Sequence, residues 1–194
     1  MDILIVLEDS NGKIHRMGLE SIVGAQKMAE ELGLSIGALV MGANVDLLAE
    51  EASGLNVGEV LKVENELLST YSADGYAETV KQVIEQENPT YVIFGHTYQV
   101  RDYAPKVSAK LMKPFIVDNV SVTTNGGNSV FTKLMFNGKL FSDVTPTGDG
   151  PYLISFQSAA FSSEKADVGS APVRDCTVNL DVSMIRTESE EPFQ

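Results

Sequence analysis

A chain of 194 residues with 43% hydrophobic and 21% charged side chains has an ordinary globular balance, which excludes a disordered or membrane-embedded composition. That length buries one core without disulfide or metal staples. A formal net charge of −13, with no stripe of Lys and Arg interleaved with aromatics, speaks against nucleic acid as a partner.

No uncharged apolar run approaches the roughly 18 residues of a membrane span. Met1–Glu8 also lacks the basic start and small-residue cleavage site of a signal peptide. The expectation is therefore no membrane partner and a cytoplasmic location. The lone Cys176 has no internal disulfide partner and no metal-site spacing, so it reads as packing.

Along the chain, Ile3–Leu7 forms a short apolar run that predicts a strand, followed by the polar turn Asp9-Ser10-Asn11-Gly12. Leu19, Ile22, Val23, Ala25, Met28, Ala29 and Leu32 recur at spacings near three and four, which predicts a helix over 19–32 stopped at Gly33. Ser35–Met41 reads as a strand, Leu47–Ala52 as a short helix ended by Gly54, and Glu59–Val63 as a strand. A helix follows over 73–86, closed by Asn88-Pro89 because proline disfavours helical geometry in the residue before it. Tyr91–Phe94 is then a buried strand, Tyr103–Leu111 a helix and Pro114–Val117 another strand. This alternation predicts an α/β fold, a mostly parallel sheet with right-handed crossovers.

Beyond Asp118 the helical period disappears. Val120–Thr124, Ser129–Phe136, Lys139–Val144 and Tyr152–Gln157 read as strands of an antiparallel β extension. Their joints include Asn125-Gly126-Gly127-Asn128 and Asn137-Gly138, and Asn-Gly between alternating runs signals a hairpin whose central residues take positive φ. The expected organisation is an α/β domain over 1–161 and an extension or linker over 162–194. That extension is expected to hold a strand at Val178–Ile185 and an acidic tail from Thr187.

Dinucleotide, nucleoside triphosphate, zinc and esterase signatures are all missing, which argues against a self-contained enzyme. Of the two histidines, His15 falls in a loop and is expected to face solvent, so an acid–base constellation would have to centre on His96. His96 and Thr97 follow Gly95 at the end of a buried strand, where open α/β sheets place ligands and a following helix N-terminus receives anions. Gly95, His96, Thr97 and Arg101 are thus the candidate cofactor-binding residues, with Arg101 offering a charge-assisted contact. The plainer alternative stays open: Thr97 or Gln99 caps the helix, and Arg101 pairs with Asp102 or a partner surface. Asp118 reads as a strand-end residue bonding nearby backbone, Lys133 and Lys139 flank a hairpin, and Met135, Phe136, Phe141 and Phe156 read as core or interface filling.

With these residues in view, the chain resembles the N-terminal domain of the electron transfer flavoprotein alpha subunit over Met1–Phe161. Gly95-His96-Thr97 with Arg101-Asp102-Tyr103-Ala104-Pro105-Lys106-Val107-Ser108-Ala109-Lys110-Leu111 is similar to the family's Asp-(Leu)-x-Pro-(Arg)-x-Ala-x-x-Leu stretch. Val117-Asp118-Asn119-Val120 looks like its Ser-Asp-Val segment, and Lys133–Lys139 stands where the family has Arg-Pro-x-Tyr-Ala-Gly-Asn. Lys133 replaces the usual Arg and Lys139 the usual Asn, and an ammonium cannot reproduce a guanidinium fork.

The resemblance implies a Rossmann-like, adenine-nucleotide alpha-hydrolase-like domain that docks a beta-type subunit in a heterodimer. In that assembly FAD passes electrons from acyl-CoA or other dehydrogenases to an acceptor, and the domain is scaffold rather than enzyme. The FAD-binding segment of the family, with its Ser-Gly-Gly-Arg, does not occur before Gln194, so this chain alone is expected not to hold FAD. In the family AMP sits in the related fold of the beta subunit. A standalone adenine-nucleotide-binding module, with AMP at the Gly95 turn, is the alternative.

Overall fold

The computed structural model describes residues 1–187; the acidic tail expected beyond Thr187, 188–194, lies outside the described residues. Among the described residues, nine strands form one sheet: β1 (Ile3–Val6), β2 (Ile36–Gly42), β3 (Glu59–Glu64), β4 (Tyr91–Gly95), β5 (Phe115–Asn125), β6 (Asn128–Met135), β7 (Leu140–Val144), β8 (Tyr152–Phe156) and β9 (Val173–Asp175). Four α-helices accompany them among the described residues: α1 (Arg16–Leu32), α2 (Asp46–Ser53), α3 (Ala73–Glu87) and α4 (Tyr98–Leu111). The strand order is β7-β6-β5-β8-β4-β1-β2-β3-β9, with β5–β6 and β6–β7 antiparallel and every other pair parallel.

The chain winds outward from β1 to β2 and β3, then returns to lay β4 on the other side of β1. Right-handed crossovers running in opposite directions must place their helices on opposite faces. The two cores obey this. Ile3, Ile5, Ala38 and Val40 pack under Ile22, Ala25 and Met28 of α1 and Leu48 and Ala52 of α2. Leu4, Val6, Leu39 and Phe94 pack under Ala77, Val80 and Ile84 of α3 and Val100, Ala104 and Val107 of α4.

Several sequence expectations need correction. Tyr152–Phe156 does not belong to the antiparallel extension: β8 is wedged in parallel register between β4 and β5. All five of its residues are buried, the pattern of a parallel strand covered on both faces rather than one with a wet side. The two pieces expected at Pro114–Val117 and Val120–Thr124 are one strand, β5, continuous through a bulge at Asp118, whose φ is 61°. Helix α4 begins five residues before Tyr103, and Pro105 lies within it rather than in its first turn. Proline cannot donate to the carbonyl four residues back, and the preceding turn is held instead by a Thr97 cap and by the burial of Val100.

Val178–Ile185 is not a strand. It crosses α3 as a strap that ends in a single 3-10 turn at Val182–Met184, and its start is held by side chains: Asn179 N–H donates to Gln82 Oε1 at 2.8 Å, and Gln82 and Gln86 Nε2 donate to the carbonyls of Asn179 and Thr177. The strand of this region is β9, which pairs with β3 at the sheet edge. Cys176 is buried as expected, with its Sγ 3.3 Å from Gln86 Oε1, and burial pushes its thiol up. The hairpin turns match the sequence reading, with positive φ at Gly126 and Gly127 and at Asn137 and Gly138.

Candidate functional site

Because β1 sends its chain toward β2 while β4 sends its chain the opposite way, the loops leaving their carboxyl ends part and leave a crevice between them. A groove of about 770 Å³ opens there. Glu8 enters it from the end of β1, His96 and Thr97 from the end of β4, Gln157 and Ser158 from the end of β8, Asp118 from the β5 bulge, and His15 and Arg101 from the starts of α1 and α4. Three of the four predicted residues, His96, Thr97 and Arg101, line it. Gly95 lies just beneath, where a Cβ would stand 2.8 Å from Cβ of Met17 and 3.0 Å from its carbonyl carbon, so only glycine lets α1 approach β4 this closely.

Thr97 serves two partners. Its Oγ1 accepts from Val100 N–H at 3.1 Å, capping α4, and its hydroxyl proton is donated to Glu8 Oε2. Of the plainer alternatives, the Thr97 cap is therefore the one formed. Burial raises the Glu8 carboxyl above its ordinary value, opposed by the Thr97 hydrogen bond and by His15. His15 is not a solvent-facing loop residue: it is half-buried, and its Nδ1 accepts from Met17 N–H at 3.1 Å as the cap of α1. Imidazole is an uncommon cap, which hid this role in the sequence.

His96 is fixed on two sides. Its N–H donates to Phe156 O at 2.8 Å, and its Nδ1 lies 2.9 Å from Ser155 Oγ, which itself accepts from Asp118 N–H at 3.0 Å. When the Ser155 hydroxyl donates to Nδ1, the ring proton sits on Nε2, which faces Asp118 Oδ1 at 3.8 Å. Burial pulls the His96 pKa below its ordinary value, against Asp118 and with help from Arg101 and Lys133. Ser155, His96 and Asp118 resemble a nucleophilic triad by residue type only. Ser155 is fully buried and its hydroxyl is spent on the bulge, so it offers no attack on a substrate in the groove.

Arg101 does not pair with Asp102, which accepts from Tyr71 Oη at 2.8 Å; its guanidinium lies 5.6 Å from the centre of the exposed Tyr98 ring. Glu8 and Ser155 were the residues sequence reasoning missed. Glu8 ends a strand on the same side of the sheet as Gly95, and Ser155 is the one polar residue in an otherwise apolar five-residue run. Both signals become legible only once the neighbouring strands are known. Among the described residues, no group of three or more His, Cys, Asp or Glu is placed to hold a metal ion.

The donor set does not fit the diphosphate of a flavin dinucleotide. Glu8 and Asp118 put two carboxylates on the groove, the Arg101 guanidinium leans on Tyr98, Arg16 is paired with Glu20 and donates to Ser158 Oγ, and the threonine hydroxyl at the helix start is already donated to Glu8.

Fold and groove together define a doubly wound α/β domain with a polar crevice at its switch point and an antiparallel hairpin at one edge. The chain belongs to the electron transfer flavoprotein domain family, whose pattern residues 3–181 match. The match thus runs beyond Phe161, through β9 and the first half of the strap. The chain is 34% identical over 178 residues to the electron transfer flavoprotein subunit alpha of Bacillus subtilis, covering 92% of this chain and 54% of that one. It is 30% identical over 144 residues to the subunit alpha of Thermoanaerobacterium thermosaccharolyticum, with 74% and 44% covered, and 27% identical over 191 residues to that of Clostridium acetobutylicum, with 95% and 56% covered. The chain therefore spans about half the length of the relatives it matches.

Proposed function

We propose that this chain works as the N-terminal, alpha-type domain of an electron transfer flavoprotein, a scaffold that docks a beta-type subunit and has no turnover of its own. FAD, held by other parts of the assembly, carries electrons from dehydrogenases to an acceptor. In this reading residues 1–161 form the docking unit and 162–194 the extension, of which β9 and the strap over α3 fold back onto that unit.

The observation that supports docking is the β6–β7 hairpin. Met135, Phe136, Leu140 and Phe141 are 38%, 71%, 57% and 71% exposed, and Lys133 and Lys139 flank them on a chain that is otherwise strongly acidic. Four large apolar side chains held in water at one sheet edge are characteristic of a contact surface, and aromatic anchors dominate such contacts. The flanking lysines suit a partner with carboxylates around an apolar seat.

Co-expression with a beta-type subunit tests this. Phe136→Ser with Phe141→Ser is expected to abolish co-purification while leaving the melting temperature of the chain alone unchanged, because neither ring is buried in it. A complex that survives both substitutions, or stoichiometric FAD on the isolated chain, sinks the proposal. The second reading, AMP held at Gly95, His96, Thr97 and Arg101, has one observation in its favour: the groove opens at the switch point of the sheet.

A further inference from the structure

The first turn of α4 already has an anion beside it, and the anion belongs to the protein. Glu8 projects from the end of β1, is half-buried, and holds the Thr97 hydroxyl whose oxygen caps the helix. A phosphate seeking the positive end of that helix would have to lie next to this carboxylate. Two negative charges at such range repel strongly where water is partly excluded. Of the nearby cations, Arg16 is paired with Glu20 at 3.3 Å and donates to Ser158 Oγ at 2.9 Å, and Lys133 acts on His96. Asp118 adds a second carboxylate on the rim, and Arg101, the guanidinium at the mouth, leans on Tyr98.

The charge of Glu8 also reaches through the fold. It contributes to raising the phenol pKa values of Tyr71 and Tyr76 on the α3 side and of Tyr103 in α4, in each case after the larger effect of burial. The groups in contact with Glu8 are Thr97 on α4, whose hydroxyl its carboxylate accepts, and His15 ahead of α1, whose N–H donates to the Glu8 carbonyl at 2.8 Å; neither is a fixed cation.

We propose that Glu8 is the residue that decides what this groove refuses: it closes the switch-point crevice to phosphate-bearing ligands, adenine nucleotides and the flavin diphosphate among them. Carboxylate and phosphate compete for one seat. The proposal stands on the groove alone and does not depend on the docking of a second subunit.

Calorimetric titration of the full chain with AMP and, separately, with inorganic phosphate tests it, at mildly alkaline pH so that histidine charge plays no part. The wild-type chain is expected to show no saturable heat at millimolar ligand. Glu8→Gln keeps the acceptor for Thr97 but removes the charge, and is expected to bind both probes at least about 100-fold more tightly. Glu8→Ala supplies the same removal should the glutamine variant fold poorly, and thermal unfolding of both variants is read first. Wild-type chain that binds AMP as tightly as the variants overturns the proposal, and so does a pair of folded variants that bind neither probe. Co-purification of the beta-type subunit is scored on the same variants and is expected to be unchanged, which separates this outcome from failure of the docking reading.

Discussion

Replacing Gly95 with alanine tests whether the floor of the groove is as tight as the backbone indicates. The added methyl would meet Met17 at 2.8 Å from its Cβ and 3.0 Å from its carbonyl carbon and oxygen. Carbon atoms in good contact stand about 3.5 Å apart, so α1 and β4 must separate by about 0.7 Å. Two of the three opposing atoms are backbone in the first turn of α1, so no rotamer change relieves the overlap. Overpacking of this kind costs about 1–3 kcal/mol, and the smaller freedom of alanine in the unfolded chain returns about 0.4–1 kcal/mol.

The net destabilisation should be about 1–2 kcal/mol, read in urea unfolding followed by far-ultraviolet circular dichroism as a midpoint lower by roughly 0.5 M with an unchanged slope. Gly54→Ala is the control, because its Cβ would meet only Glu51 O, at 3.3 Å, on an exposed helix end. It should lie within about 0.5 kcal/mol of wild type. A Gly95→Ala midpoint indistinguishable from wild type would refute the packing argument.

Ser155→Ala removes the acceptor of Asp118 N–H and the partner of His96 Nδ1, and leaving a part-buried donor unmet should cost about 1 kcal/mol in the same urea experiment. The pH dependence follows from His96. Its folded pKa is depressed by burial, so below the ordinary histidine value of about 6.5 the unfolded chain takes up a proton that the native chain resists. The contribution of this group to stability is present above that pH and is lost as pH falls through the native value. Thermal melts across that window should decline for wild type, and a His96→Gln variant that declines equally would show that another group is responsible. Asp74 accepts from Lys106 Nζ at 2.8 Å, Arg186 N–H at 2.9 Å and Thr187 Oγ1 at 3.3 Å, so Asp74→Ala should free the end of the strap. Trypsin cleavage after Arg186 is expected to accelerate several-fold, with stability reduced by about 1 kcal/mol; an unchanged cleavage rate counts against the tether.

The outcome at the groove shows which features are readable in advance. Gly95, His96 and Thr97 stand out because an apolar run ending in glycine, followed by a polar residue and a helical period, is a local pattern, and it points to a loop that lines the groove. Their partners lie far along the chain: Glu8 is 89 residues from Thr97 and Ser155 is 59 residues from His96. The sequence therefore points to one loop of the groove, while the carboxylate beside that loop comes from a residue after another strand. His15 failed for a different reason, since the propensity that marks caps does not favour imidazole.

Local order decided much of the rest. Apolar periodicity, the stops at Gly33 and Asn88-Pro89 and the Asn-Gly turns act over a few residues, so strands and helices up to Ile116 and the two hairpin turns follow from the sequence itself. What only the tertiary structure decided is the pairing: that Tyr152–Phe156 slots between β4 and β5, that the third and ninth strands meet at the far edge, and that the strap over α3 is satisfied by glutamine side chains instead of a ladder. A strand's neighbours are chosen by which arrangement buries both its faces and satisfies its backbone. That choice is made by residues tens of positions away, which no local pattern records.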